Sequence, residues 1–384
     1  MAGNQELIQD MNYHKILETI ICDGLISRAE LSKRLGLTKA TISNQVQKLL
    51  DDGLVEETGS QETSKGRRPI MLKFRGDHAR VLALDINKGH INLLTADLLG
   101  QHCRFSQQPW TMERDRLLPL LIQIIEETLA DHTSENIVGI CVGIHGVVHE
   151  NEIRFTPYYN LEGFPLQETL AQHFSLPVFV ENEANLSALG EKTFSFGASN
   201  LVNISVHAGI GLGIIMDGRL YTGANGFAGE FGHTIVESQG LPCPCGNRGC
   251  LEQYASEAAI LRKYSRIKHT EKATLDELVI AYQKKETAAL EAVEDFVIYM
   301  AMGINNIVNI FNPQLIVINS TLTAYLPDVT GRIYARLTNR MSRECKILPS
   351  TLQDMATLLG GVYLCSKYYL KVDEFCPPIH CLYR

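Results

Sequence analysis

His233, Cys243, Cys245 and Cys250 place one imidazole and three thiols close together along the chain. Three thiolates and an imidazole fill a tetrahedral zinc shell with no open position, the arrangement of structural rather than catalytic zinc. Gly246 and Gly249 lie between the cysteines and let the backbone fold tightly around an ion. A pair spaced like Cys243 and Cys245 does not easily close on itself as a disulfide. With no secretion signal at the start of the sequence, such a cluster reads as a metal site. Five other cysteines, Cys22, Cys103, Cys141, Cys345 and Cys365, sit in apolar stretches and read as small core residues. The tail Cys376-Pro-Pro-Ile-His-Cys381 offers metal-binding side chains too, but reads first as a frayed terminus.

A second group surrounds the zinc motif. Glu230 and Glu252 flank it, and Glu181-Asn182-Glu183-Ala184-Asn185 follows a strand-like run, Val178–Glu181. Polar side chains at strand ends of an α/β fold commonly line a ligand cleft. Carboxylates and amides suit a polyhydroxylated ligand, because each can accept or bridge hydroxyl hydrogen bonds.

A third set lies near the N-terminus. Lys39, Thr41, Ser43, Asn44, Gln47 and Lys48 share the polar face of one helix, with no acid before Asp51. Asn and Gln can read base edges, while Lys, Thr and Ser can hold phosphates. Downstream, Lys65-Gly66-Arg67-Arg68-Pro69 gives a basic loop tip between two strand-like runs, Leu54–Glu57 and Ile70–Phe74, as expected of a DNA-contacting wing. The net charge of −8 argues against nucleic acid only on average. Residues 1–75 hold 11 Lys+Arg against 10 Asp+Glu, and the remainder holds 24 against 33. A DNA-binding module therefore belongs in the first segment.

The elements that must position these groups follow from periodicity. Tyr13, Ile16, Leu17, Ile20 and Ile21 mark one helix ending near Gly24. Ser27 with Glu30 opens a short helix that stops at Gly36, and Thr38 opens a longer one burying Ile42, Val46, Leu49 and Leu50. Short helix, turn and long helix make a helix-turn-helix, and the two strands complete a winged form. From Arg80 the pattern becomes α/β. Val81–Asp85, Ile91–Thr95, Ile137–Val142, Val178–Glu181 and Leu201–Ser205 read as strands, with helices such as Leu117–Ala130 and Leu166–His173 between them. At 384 residues, the expected division is a DNA-binding domain over 1–76 and a two-lobed ligand domain over 77–384. No apolar run is long enough to span a membrane, and the expected location is the cytoplasm.

Gly229-Glu-Phe-Gly-His233 followed by Cys243-Pro-Cys-Gly-Asn-Arg-Gly-Cys250-Leu-Glu252 resembles the signature of the ROK family of repressors, open reading frames and kinases. Glu181–Asn185, Gly143-Ile-His-Gly146 and Asn309-Ile-Phe-Asn-Pro313 with its following strand are similar to the family too, as is the N-terminal arrangement with Gly66-Arg67-Arg68-Pro69. Within the family the likeness is strongest to bacterial xylose repressors. The resemblance implies an actin-like ATPase fold with sugar between two lobes. It implies that Asn182, Glu183, Glu230, His233 and Glu252 contact the sugar, with His233 also ligating zinc. A homodimer or higher homo-oligomer would hold operator DNA, released by a sugar inducer, xylose being favoured and glucose a possible competitor.

The family's kinases carry Asp-x-Gly-Gly-Thr in the first phosphate turn, where this chain has Asp85-Ile-Asn-Lys-Gly89. Their second turn reads Gly-Thr-Gly; here it is His207-Ala208-Gly209. Their catalytic aspartate is replaced by Glu183, one methylene longer. Phosphoryl transfer depends on positioning, so all three departures favour a sensor with no catalytic residues over the alternative, a sugar kinase with an accessory DNA-binding domain.

Overall fold

The structure, a computed structural model, describes residues 2–59, 69–111, 113–131, 135–157 and 160–378. The wing tip with Lys65, Arg67 and Arg68 lies outside the described residues, as do His380 and Cys381. No helix among the described residues is long and apolar enough to cross a membrane.

The N-terminal unit forms where local sequence predicts it. Helix α1 (Ala2–Asp23) buries Ile16, Leu17, Ile20 and Ile21 completely or nearly so. After a two-residue strand β1 (Ile26–Ser27), the Ser27 hydroxyl accepts from the Glu30 amide (3.2 Å) and caps α2 (Arg28–Leu35). Gly36 closes that helix in the left-handed conformation, φ 66°. Thr38 caps α3 (Lys39–Asp51), accepting from the Thr41 amide at 3.2 Å. Ile42, Val46 and Leu49 are buried as read, whereas Leu50 is half-buried and Gln45 takes a buried place instead. Strands β2 (Val55–Thr58) and β3 (Met71–Phe74) pair antiparallel, and β1 adds to the free edge of β3. That three-stranded sheet behind a helix-turn-helix is the winged form.

The first lobe follows without a free linker. Strands β4 (Arg80–Ile86), β5 (His90–Asp97) and β6 (Arg104–Pro109) form a meander, then α4 (Arg114–Asp131) crosses to β7 (Ile137–Ile144). A small ribbon of β8 (Val147–His149) and β9 (Glu152–Phe155) precedes α5 (Leu166–Phe174), β10 (Val178–Asn182) and α6 (Glu183–Glu191). The sheet order is β10-β7-β4-β5-β6, with β4, β7 and β10 parallel. Strand β6 escaped sequence reading because all six residues are exposed at the sheet edge, where no apolar alternation is required.

The second lobe repeats the plan. Strands β11 (Leu201–Val206), β12 (Ile210–Met216) and β13 (Arg219–Leu220) form the meander. Helices α7 (Glu252–Ala255), α8 (Glu257–Lys268), α9 (Leu275–Gln283) and α10 (Thr287–Phe311) then lead to β14 (Leu315–Ser320). Helices α11 (Thr321–Tyr325) and α12 (Asp328–Ala335) precede β15 (Lys346–Pro349) and α13 (Met355–Leu370). The order β13-β12-β11-β14-β15, read from the β15 edge, matches the first sheet strand for strand, with β14 the strand expected after Pro313.

Each lobe ends in a helix that packs on the other lobe's strands. Helix α6 lies on β11 and β12, while α13 lies on β4 and β7. The two helices cross at backbone contact. A Cβ at Gly360 would stand 1.9 Å from the Leu186 carbonyl oxygen, and one at Gly190 would stand 2.1 Å from that of Ala356.

Three cysteine readings are corrected. Cys22 is not a core thiol; it forms a disulfide with Cys376, which is thereby pinned rather than frayed. Local apolar neighbours could not reveal a partner 354 positions away. Cys103 is exposed in the turn after β5, its thiol donating to the Gly100 carbonyl at 3.3 Å. Cys141, Cys345 and Cys365 are buried as expected.

Gly360→Ala is expected to destabilise the protein by about 1–3 kcal/mol, since backbone must move to admit the methyl. Gly331→Ala, inside α12 with nothing within 4 Å, is expected to be neutral or stabilising by up to about 1 kcal/mol. Urea unfolding of both variants checks this; equal midpoints would show that the crossing is not tight.

Candidate functional site

The metal-binding side chains converge on one point. The ligand atoms of His233, Cys243, Cys245 and Cys250 all lie within 4.8 Å of one another. His233 Nδ1 is 3.5 Å from Cys243 Sγ, and the sulfurs of Cys245 and Cys250 are 3.6 Å apart. Tetrahedral zinc with Zn–S bonds near 2.3 Å needs sulfur separations of roughly 3.8 Å, so this donor set fits that ion.

The loop is shaped locally. The Cys243 carbonyl accepts from the Gly246 amide (3.0 Å) and the Cys243 amide donates to Asn247 (2.9 Å), making a tight turn. Gly249 adopts φ +80°, and a Cβ there would meet the Glu237 carbonyl oxygen at 1.7 Å. Phe231 and Leu251, on either side of the loop, are buried and both press on Gly303 of α10. That anchor fixes His233 and Glu252 relative to the cysteines.

Glu230, His233 and Glu252 form one polar cluster. His233 Nε2 lies 3.7 Å from Glu230 Oε2, while its Nδ1, on the sulfur side, lies 3.7 Å from Glu252 Oε1. Partial burial, with the Glu252 charge beside it, raises the Glu230 pKa against the opposing pull of His233. The imidazole thus presents one nitrogen to the thiols and the other to a half-buried acid.

Asn182 and Glu183 belong to a second cluster, where the lobes meet. Asn182 caps α6: its Oδ1 accepts from the Asn185 amide (3.0 Å) and its Nδ2 donates to the Gly146 carbonyl (2.6 Å). Glu183 is buried. Ser205 Oγ donates to its Oε1 (2.9 Å), His207 Nε2 lies 3.7 Å from the same oxygen, and His145 Nδ1 lies 3.8 Å from Oε2. His145 Nε2 in turn faces Asp85 Oδ1 at 3.3 Å. Burial alone would raise the Glu183 pKa, but the neighbouring His207 imidazole, the charge of His145 and the Ser205 hydroxyl hold it at about 2. Burial would likewise lower His145, yet its close approach to Asp85 and the charges of Asp85 and Glu183 keep it at about 9.

Sequence reading named Asp85, His145 and His207 as motif members but not as one unit. Their strands, β4 and β7 in one lobe and β11 in the other, meet only in the fold. The available signal was a polar residue at the C-terminal end of each strand. A backbone link joins the two clusters, the Glu257 amide donating to the His207 carbonyl (2.9 Å) just after the helix that starts at Glu252.

On α3, Lys39, Ser43, Asn44, Gln47 and Lys48 are exposed along one face, as a groove-reading helix requires. Thr41 is half-buried, its hydroxyl 2.9 Å from that of Thr38 at the cap.

A winged helix-turn-helix DNA-binding model matches residues 14–56, and the ROK family model matches residues 81–368. The chain belongs to the ROK family. Over 382 residues it is 32% identical to a xylose repressor of Bacillus spizizenii, a match covering 96% of this chain and 98% of that one. Among solved structures it superposes on a ROK family transcriptional regulator, a homologue of the E. coli MLC protein, with TM-score 0.81 and 28% identity. That alignment covers 94% of this chain and 97% of the other. A ROK family glucokinase from Streptomyces griseus, solved with glucose and AMPPNP, shares the fold at TM-score 0.67 and 23% identity, 99% of it matching 74% of this chain.

The ion pairs of the second cluster set a pH window for stability. Glu183, depressed in the folded state, contributes stability above its ordinary value near 4.5 that is lost as pH falls toward 2. His145, raised, contributes fully below 6.5 and loses that contribution as pH rises through 9. Thermal midpoints are therefore expected to be highest between about pH 5 and 6.5. His145→Gln should flatten the alkaline limb; an unchanged limb would remove His145 as its cause.

Proposed function

We propose that this ROK protein is a sugar-responsive transcriptional repressor and that xylose is its inducer. Its α3 face and wing hold operator DNA, and sugar bound between the lobes weakens that hold. The observation that carries the reading is Glu183, at the base position of the family's kinases, already ion-paired on both sides and depressed to about 2. A general base works best with a pKa near the working pH, so a carboxylate held this far below it is poorly suited to drawing a proton from a sugar hydroxyl. The first turn also carries Asn87, whose amide donates to Asp85, where kinases keep glycine beside phosphate. The full-length match to a protein named as a xylose repressor supports the same assignment and the choice of sugar.

Asn182, Glu183, Glu230, His233 and Glu252 are the proposed sugar contacts. His233 would offer Nε2 to the sugar while Nδ1 joins Cys243, Cys245 and Cys250 around structural zinc. The metal there would supply rigidity to the imidazole rather than an activated water. Lys39, Thr41, Ser43, Asn44, Gln47, Lys48, Lys65, Arg67 and Arg68 are the proposed DNA contacts. A homodimer would place two recognition helices in successive major grooves of a palindromic site, in the cytoplasm where the DNA lies. We place the domain boundary at 76/77. Release requires only that sugar favour the conformation with poor operator affinity.

The test is binding to DNA upstream of the protein's own gene, titrated with xylose and, separately, glucose. Xylose is expected to release the DNA, and the protein to hydrolyse no ATP with either sugar; sugar-dependent ATP turnover would favour the kinase alternative. Glu230→Gln should keep operator affinity and weaken xylose response by about 10-fold or more, the effect of removing a charged hydrogen-bond partner. Intact induction in that variant would displace the proposed sugar site. Cys245→Ser is expected to lower bound zinc, measured by atomic absorption, and to lose xylose response with it. Unchanged zinc content would refute the ligand set.

A further inference from the structure

The segment after α13 does not leave the body of the molecule; it lies along α1. Buried Glu18 of α1 accepts from the backbone amides of Asp373 (3.0 Å) and Glu374 (3.1 Å). His14 Nδ1 donates to the Leu370 carbonyl at the end of α13 (3.1 Å). Val372 and Phe375 are buried in the same apolar cluster as Ile16, Leu17 and Ile20. Next to them Cys376 is bonded to Cys22, their Cα atoms 4.8 Å apart.

We propose that Cys22 and Cys376 form a redox-responsive bridge that fastens the DNA-binding domain to the end of the ligand domain, exchanging with a low-molecular-weight disulfide. Three observations lead there. Cys376 is exposed and Cys22 only half-buried, so small thiols can reach the bond, and exposed disulfides are the labile, regulatory ones. Cys141 and Cys365 are fully buried with thiols pushed up by desolvation, so they do not compete. The interface beneath the bridge is already closed by apolar contacts and the Glu18 hydrogen bonds, so no staple is needed to form it. In the thiol-rich compartment implied by the repressor reading, such a bond is expected to be transient and sensing rather than permanent.

The chemistry balances. The Cys376 thiolate attacks one sulfur of the small disulfide and expels one small thiolate. The Cys22 thiolate then attacks the Cys376 sulfur of the mixed disulfide and expels the second. Two protein thiols lose two electrons and two protons, and the small disulfide leaves as two thiols; two small thiols reverse the sequence. The consequence reaches the recognition helix, because α1 is tied to α3 through Tyr13 and Asp52 (2.6 Å). At the other end, α13 packs on α6 where the lobes join. The bridge therefore couples the DNA-reading unit to the element spanning both lobes.

Its regulatory consequence rests on the repressor reading, but the bond itself can be tested apart from it. The full-length protein, in buffer with zinc, is equilibrated with glutathione mixtures of rising oxidised fraction, alkylated and mapped by mass spectrometry. The Cys22–Cys376 cross-linked peptide should appear and disappear reversibly while Cys141 and Cys365 stay reduced. Amide hydrogen exchange at Asp373 and Glu374 should speed up on reduction. Cys376→Ser, at an exposed site, and Cys22→Ser should each abolish the cross-link and exchange like the reduced protein. Oxidised and reduced wild type should differ about fivefold or more in affinity for the upstream DNA, and the Cys376→Ser protein should show no redox dependence. Free thiols at both positions under every mixture, or a bond that resists excess dithiothreitol in the folded protein, would overturn the proposal. A reversible bond with equal DNA affinity in both states would overturn its coupling role. DNA that binds in neither state would sink the repressor reading and leave the bridge to be judged on the peptide map and the exchange rates.

Discussion

Helices α6 and α13 meet at backbone distance, and much else in the molecule hangs on that contact. Each helix leaves one lobe and packs on the strands of the other, so the crossing is the common floor of both sheets. It requires glycine at positions 190 and 360, where any side-chain carbon would strike a carbonyl of the opposite helix. The start of α6 carries Glu183 into the junction between lobes, and the end of α13 delivers the tail to α1. A movement at the lobe junction and the placement of the DNA-reading unit therefore share one mechanical element.

Two histidine environments give the site its character. His233 stands between a thiol cluster and an acid, with one ring nitrogen facing each. His145 and His207 stand on either side of a buried carboxylate and neutralise it. The first arrangement leaves the imidazole partly exposed, with one nitrogen on the thiol side. The second holds a buried carboxylate ionised between two imidazoles. The second depends on burial, since in water the same charges at these separations would attract only weakly.

The glucokinase comparison shows how little the backbone says about chemistry here. The two sheets, their order and the crossing helices belong to the fold, and folds host many activities. The departures from the motifs of the family's kinases fall on turn and strand-end residues: Asn87 and Lys88 in one turn, His207 and Ala208 in the other, Glu183 between them. Added to these is the N-terminal winged unit, whose core runs into that of the first lobe as one apolar cluster through Phe74, Ala79 and Val81.

The caps at Ser27, Gly36 and Thr38, the exposed polar face of α3 and the clustering of the cysteine loop were all legible in the sequence, because each depends on residues a few positions apart. Parallel strands such as Ile137–Ile144 were legible for a related reason: burial on both faces writes an unbroken apolar run. Edge strand β6 left no such mark, since one side of it faces solvent and its pairing is carried by backbone alone. Only the tertiary structure decided that Asp85, His145, Glu183 and His207 form one charge network, because their strands come together across two lobes. It alone showed that Cys22 faces Cys376, a contact made by chain ends 354 positions apart. Local patterning records what a residue does within its own helix or strand; it holds no record of which distant element the fold will lay against it.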